Sequence, residues 1–77
     1  MTVNEFIERI REILELEDAQ LNIETNLRDL QEFDSLAVLS IIALVDEKFG
    51  KQIPATQFAT ITTIRSLIEK IGWEHFE

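Results

Sequence analysis

Apolar residues recur at a helical spacing over the first part of the chain. Between residues 3 and 14 they share one side of a helix, with Glu and Arg on the other side: Val3, Phe6, Ile7, Ile10, Ile13 and Leu14. Thr2 and Glu5 form a T-x-x-E capping box, whose hydroxyl and carboxylate accept hydrogen bonds from backbone amides left free at a helix start. This pattern predicts an amphipathic helix that begins at Thr2.

The second apolar run, residues 36–45, is interrupted only by Ser40 and could form either a strand or a helix. Its flanks favour a helix, because Asp34 or Ser35 can cap the start and Gly50 can end the last turn. The face predicted to be buried contains Val38, Ile41, Ile42, Val45 and Phe49.

No helical period runs through residues 17–34, which predicts a long loop with one helical turn within residues 25–30. Its scattered apolar side chains are expected to pin it to the core: Leu21, Ile23, Leu27, Leu30 and Phe33. Residues 55–60 have only Phe58 as an apolar anchor, which fits a short helix or an irregular bridge.

A last helix is predicted from Thr62 or Thr63 to Gly72, with an apolar stripe of Ile64, Leu67, Ile68 and Ile71. The elements together predict an all-α fold. We expect a small bundle of three to four helices with a long loop between the first and second helices, in a single domain over residues 1–77.

The chain of 77 residues has 15 acidic and 7 basic residues, a formal net charge of −8. This balance argues against nucleic acid and anionic membrane surfaces as partners, because both attract Lys and Arg. The acidic residues are unevenly distributed along the chain: residues 1–34 contain ten acidic and three basic residues, and residues 35–77 contain five acidic and four basic residues. With no Cys and neither a signal peptide nor a membrane span in the sequence, we expect a cytoplasmic monomer with protein partners.

Few residues could perform catalysis. With one His, no Cys and no zinc spacing, a hydrolase would have to combine Ser35 with His75 in the C-terminal tail. Ser35 itself has two interpretations. It can cap the second helix, or it can present an exposed hydroxyl at the positive end of that helix, where a phosphate would be stabilised. Both roles fit the site if Asp34 is the cap.

The segment Asp34-Ser35-Leu36, followed by Ile41, Val45 and Phe49, resembles the acyl carrier protein signature around its modified serine. The loop sequence T-N-L-R-D-L at residues 25–30 and the turn F-G-K-Q-I-P at residues 49–54 are similar to further motifs of that family. The resemblance covers nearly the whole chain in the same order.

This resemblance implies that a phosphopantetheinyl transferase, the holo-carrier synthase, attaches a 4′-phosphopantetheine arm from coenzyme A to Ser35. Acyl or aminoacyl groups would then be carried on the arm as thioesters and presented to loading and transfer enzymes, with no catalysis by the carrier. In the family, the Asp at the Asp34 position helps to place metal and coenzyme in the synthase complex, and the second helix is the surface that partners contact. The residues predicted to contact partners are Asp34, Leu36, Ala37, Leu39, Ser40, Asp46 and Glu47. An acyl chain could enter between helices lined by Phe6, Ile41, Val45 and Ile61.

Two features depart from the familiar carriers of fatty acid synthesis. The start of the second helix is not acidic, since Ala37, Ser40 and Ala43 occupy those positions, and Glu32-Phe33 replaces the usual glycine before the serine motif. These differences favour a specialised carrier for a secondary-metabolite, polysaccharide-modifying or aminoacyl-transfer pathway. The alternative is a non-catalytic helical interaction module that has the carrier fold but no prosthetic group. The tail aromatics Trp73 and Phe76 are expected to fold back onto the last helix or to contact a partner.

Overall fold

The computed structural model describes residues 1–16 and 20–77. This part of the chain contains three α-helices. The helices are α1 (Val3–Leu14), α2 (Ser35–Phe49) and α3 (Ile64–Ile71). The 3₁₀ helices Leu27–Asp29 and Ala55–Thr60 lie in the connections between them, and a third, Trp73–His75, follows α3. The described residues contain no β-strand, only an isolated antiparallel bridge between Asn26 and Thr63. The predicted all-α bundle is confirmed. Residues 17–19 of the predicted loop lie outside the described residues.

Side-chain caps set the helix starts. The capping box of α1 is confirmed: the Thr2 hydroxyl accepts from the Glu5 amide at 3.1 Å, and the Glu5 carboxylate accepts from the Thr2 amide at 2.8 Å. Helix α2 is capped by Asp34, whose Oδ1 accepts from the Ala37 amide at 2.9 Å. It ends at Gly50, whose φ of 66° lies in the left-handed region that glycine adopts without steric penalty.

Each α-helix buries one apolar face in a common core. The fully or nearly fully buried residues on the three helices are Phe6, Ile10, Leu14, Ala37, Ile41, Leu44, Val45, Ile64, Leu67, Ile68 and Ile71. On α2 the buried face is rotated from the predicted one: Ala37 and Leu44 lie inward, whereas Val38, Ile42 and Phe49 are only partly buried. No helix in the described part of the chain is long and apolar enough to cross a bilayer.

The loop before α2 is fastened to the start of α3. The Leu27 amide donates to the Thr62 carbonyl at 2.6 Å, and the Arg65 amide donates to the Ile23 carbonyl at 2.8 Å. Leu27 is buried, and the other predicted pins of the loop pack partly buried against the core. The predicted helical turn is the 3₁₀ helix Leu27–Asp29. The loop is therefore an ordered wall of the bundle as it approaches α2.

The C-terminal tail folds back, but onto different helices from those expected. The ring of Phe76 lies 5.3 Å from that of Phe6 on α1 and 4.9 Å from that of Phe49 on α2. Gly72, with φ of 107°, turns the chain away from α3 and makes this route possible. Trp73 stays 43% exposed on the outside of that turn.

Candidate functional site

Ser35 is the first residue of α2, and its side chain is exposed. Asp34 performs the capping: its carboxylate accepts from the Ala37 amide at 2.9 Å, and its carbonyl accepts from the Val38 amide at 3.0 Å. The Ser35 hydroxyl makes no hydrogen bond with any residue that the structure describes. Of the two roles that the sequence left open for Ser35, Asp34 therefore performs the capping and the Ser35 hydroxyl stays exposed.

The N-terminus of α2 favours a negative group on Ser35. Helix dipoles place a partial positive charge at this end, where the Asp34 carboxylate takes up the Ala37 amide and no residue within the first turn of α2 is acidic. The backbone amides of Ser35 and Leu36 make no hydrogen bond to any other described residue, so both can face an attached phosphate.

A shallow surface groove of about 480 Å³ begins at Ser35 and runs between α2 and the 3₁₀ helix Ala55–Thr60, which we call the bridge helix. Its walls combine apolar side chains with one cation and one anion: Arg28, Phe33, Asp34, Val38, Leu39, Ala55, Phe58 and Ala59. The lining expected from the sequence was different. Phe6, Ile41, Val45 and Ile61 are fully buried in the close-packed core and do not line this groove.

Most of the predicted partner contacts form one exposed face of α2. We call this face the α2 strip: Ser35, Leu36, Leu39, Ser40, Ala43, Asp46 and Glu47. Leu36 and Leu39 are 73% and 58% exposed, which is unusual for side chains of this size and polarity. Ala37 was expected on this face, but it is only 5% exposed, because on a helix of 3.6 residues per turn it shares the inward face with Ile41 and Leu44.

The hydrolase site considered from the sequence does not form. The ring of His75 lies 6.2 Å from that of Phe49, at the C-terminal end of α2, and Ser35 stands at the other end of the same helix. A 15-residue helix is about 22 Å long, so these side chains cannot contact each other.

Sequence inspection missed two residues beside Ser35. Arg28 and Phe58 line the groove, and the Arg28 side chain bonds to the backbone of the bridge helix. A signal for Arg28 was present, since it is the only basic residue between Arg11 and Lys48, within an otherwise acidic segment. Nothing in the local pattern shows that Phe58 would lie next to Ser35, because the two are brought together by tertiary packing.

Comparison with known proteins defines the class. Residues 4–71 match the family model described as "Phosphopantetheine attachment site", so the chain belongs to this family of phosphopantetheine-binding carrier proteins. The chain is also similar to the acyl carrier protein of Rubrobacter xylanophilus, at 28% identity over 75 residues, covering 92% of this chain and 93% of that protein. No solved structure matches the chain.

Family membership makes the chain a carrier rather than a catalyst, with covalently attached 4′-phosphopantetheine as its prosthetic group. The described residues fit such a group. The Ser35 hydroxyl is exposed, the α2 N-terminus has backbone amides that can bind a phosphate, and the groove leaves room beside Ser35. Carriers of this kind work with phosphopantetheinyl transferases and biosynthetic enzymes.

Proposed function

We propose that Ser35 is the attachment residue and that the chain carries acyl or aminoacyl intermediates on the arm bound there. The observation that carries this proposal is the division of roles at the start of α2. The Asp34 carboxylate accepts the hydrogen bond of a first-turn backbone amide. The neighbouring Ser35 hydroxyl is exposed and makes no hydrogen bond with a described residue. The arm would supply a thiol for the cargo, and the protein's part is to hold Ser35 out to other enzymes.

The attachment is tested by incubating the apo protein with coenzyme A, Mg²⁺ and a broad-specificity transferase, and then weighing the intact protein. We expect a gain of one phosphopantetheinyl group, which is lost in Ser35→Ala. Ser40→Ala is the matched control, because Ser40 is the other serine on the exposed face of α2, and it should be modified like the parent. No mass gain in the parent would favour the unmodified interaction module. A gain that persists in Ser35→Ala would place the attachment elsewhere.

We infer further that this is a specialised carrier rather than the carrier of general fatty acid synthesis, serving one of the three kinds of pathway named above. The support is the α2 strip, whose half nearest Ser35 presents Leu36 and Leu39 in place of acidic residues. A partner that docks there would rely on apolar fit more than on charge attraction. Its acids, Asp46 and Glu47, stand farther along the helix.

A loading and elongation assay tests this inference. The modified protein should be a poor substrate for purified fatty acid synthase enzymes, compared with their own carrier at the same concentration. Efficient exchange into that pathway would contradict the inference while leaving the attachment at Ser35 intact.

We also propose that residues 1–77 act as one domain. The support is the contact between the two ends of the chain: the Glu77 amide donates to the Met1 carbonyl at 3.1 Å, and Phe76 packs on α1 and α2. A single cooperative unfolding transition seen by both circular dichroism and Trp73 fluorescence would agree with this.

A further inference from the structure

The side chain of Arg28 joins three parts of the molecule next to Ser35. Its Nε donates to the Ile61 carbonyl at 3.0 Å, and its Nη2 donates to the Phe58 carbonyl, the acceptor that also closes the end of the bridge helix. The guanidinium lies over the ring of Phe33, 5.8 Å from the ring centre. The planar guanidinium thus bonds to the bridge helix and makes a cation–π contact with Phe33 in the segment that leads into α2.

Phe33 occupies the segment where the resembled family usually has a glycine. The backbone explains why no glycine is needed, because no described residue from 20 to 36 has a positive φ. The segment is held by two short-range bonds, from the Phe33 amide to the Leu30 carbonyl at 3.1 Å and from the Asp34 amide to the Glu32 carbonyl at 3.0 Å. The Phe33 side chain also packs partly buried against the core, and its contact with Arg28 adds a link to the bridge helix.

We propose that Arg28 and Phe33 are positioning residues that fix the direction in which Ser35 is presented to a modifying enzyme. This inference rests on the proposed attachment at Ser35. Arg28 is hydrogen-bonded to the bridge helix, and Phe33 lies two residues before Ser35. Their contact therefore fixes the position of the backbone where it enters α2. Neither residue touches the transferred group, and both act through the backbone of residues 33–35.

The consequence is kinetic. Transfer forms a bond between the Ser35 oxygen and the phosphorus at the pantetheine end of the coenzyme A diphosphate. The bond from that phosphorus to the bridging oxygen breaks, adenosine 3′,5′-bisphosphate leaves, and the serine proton passes to a base of the transferase. The Ser35 oxygen must be aligned with that phosphorus, and a misplacement of about 1 Å can lower the rate by on the order of 100-fold. Greater mobility of the backbone of residues 33–35 would therefore lower kcat for transfer. The KM for the apo protein should change by less than about threefold, because the docking surface on α2 is unchanged.

The test measures kcat and KM of a broad-specificity transferase for the apo protein, four single variants and one double variant. Arg28→Met removes the bonds and the cation–π contact, Arg28→Lys keeps the charge but not the two-pronged fork, and Phe33→Leu keeps an apolar side chain without the ring. Arg65→Met is the matched control, since Arg65 also ties the loop to another part of the fold, through Glu24 at 2.6 Å, but it does not line the groove. Circular dichroism at the assay temperature establishes that each variant is folded.

We expect kcat to fall by about tenfold in Arg28→Met, by less in Arg28→Lys, and to stay near the parent value in Arg65→Met. Phe33→Leu should also lower kcat, and the double variant Arg28→Met/Phe33→Leu should be no slower than Arg28→Met alone, because the two side chains act through one contact. An unchanged kcat in folded Arg28→Met, or an equal fall in Arg65→Met, would overturn the proposal.

Amide hydrogen exchange of the apo protein separates this inference from the attachment itself. In Arg28→Met the amides of Phe33 and Asp34 should exchange at least about tenfold faster, while that of Ile41 in the α2 core keeps its protection. If the parent is never modified, the attachment proposal fails and exchange alone decides the positioning role. Unchanged exchange at Phe33 and Asp34 would overturn it in either case.

Discussion

Asp34 and Ser35 divide two tasks that one side chain would perform badly together. A serine that caps α2 would have its oxygen engaged by a backbone amide, which would make it a poorer nucleophile. Here the carboxylate of Asp34 accepts from Ala37, and the hydroxyl of Ser35 makes no bond with the described residues. If Ser35 is the attachment residue as proposed, one residue at this helix end stabilises the helix and its neighbour provides the nucleophile.

This division predicts opposite results for two neighbouring alanine variants. Asp34→Ala should lower the free energy of unfolding by about 1 kcal/mol, because the Ala37 amide loses its acceptor. Ser35→Ala should change it by less than about 0.5 kcal/mol, since no bond is lost. Urea unfolding followed by circular dichroism measures both, with Asp34→Asn as a control that retains a capping oxygen. Equal losses in the two alanine variants would show that Ser35 shares the capping.

The role of a residue could be predicted where neighbouring residues in the sequence signal it, and could not where it depends on tertiary packing. Ser35 could be singled out as a candidate because its motif and its helix start are contiguous in sequence. Ala37 was misplaced because small apolar residues fit both faces of a helix. The role of Arg28 depends on carbonyls 30 and 33 residues away, a separation that no periodicity encodes.

At the scale of elements, the three helices differ in how clearly the sequence defines them. Helices α1 and α3 alternate apolar and charged positions, and their buried residues agree with the predicted stripes. Helix α2 is apolar on nearly all sides, so its pattern fixes the helix but not which face is buried. Contact with α1 and the bridge helix decides that face, and the remaining leucines are left exposed on the α2 strip.

The end of α2 gives a prediction about backbone conformation alone. Gly50 has φ of 66°, and a Cβ built there would meet nothing within 4 Å. Gly50→Ala should therefore lower the free energy of unfolding by about 1 kcal/mol through the left-handed conformation rather than through a clash. Gly50→Asn should cost less, since Asn tolerates this conformation better. Thermal unfolding compares the two, and an alanine variant as stable as the parent would contradict the explanation.

The start of α1 predicts a pH dependence. Hydrogen bonds from the Thr2 backbone and side chain hold the pKa of Glu5 below its ordinary value of 4.5. Because the folded-state pKa is depressed, Glu5 adds stability that is complete above the unfolded-state pKa and is lost as the pH falls through the folded-state value. Glu5→Gln should thus be less stable than the parent at neutral pH, and the difference should shrink in acid.

Urea titrations of both proteins at neutral pH and below the titration range of Glu5 measure this change. Glu8→Gln is the control, because Glu8 lies one turn farther along α1 and takes no part in the capping box. A stability difference for Glu5→Gln that is the same at both pH values would mean that the lowered pKa does not contribute.

For the whole molecule, the position of the charges matters more than the net charge of −8. The first 34 residues have a net charge of −7, and the rest of the chain, which contains the α2 strip, has −1. Long-range attraction to a basic enzyme would therefore act mainly on α1 and the loop. The α2 strip is apolar in the half nearest Ser35 and has its acids at Asp46 and Glu47. If partners dock on the α2 strip as proposed, approach and docking depend on different faces of the carrier.

This separation predicts how docking responds to salt. For a transferase acting on the apo protein, Leu36→Ala and Leu39→Ala should raise KM by up to about tenfold, because apolar contact worth on the order of 1.4 kcal/mol is lost. The factor should be the same at low and high ionic strength. Asp46→Asn and Glu47→Gln should raise KM by less than about threefold, and this effect should vanish at high salt because exposed charges are screened. If the leucine variants bind like the parent while the acidic positions control KM, docking on this carrier is electrostatic and the apolar half of the α2 strip has another use.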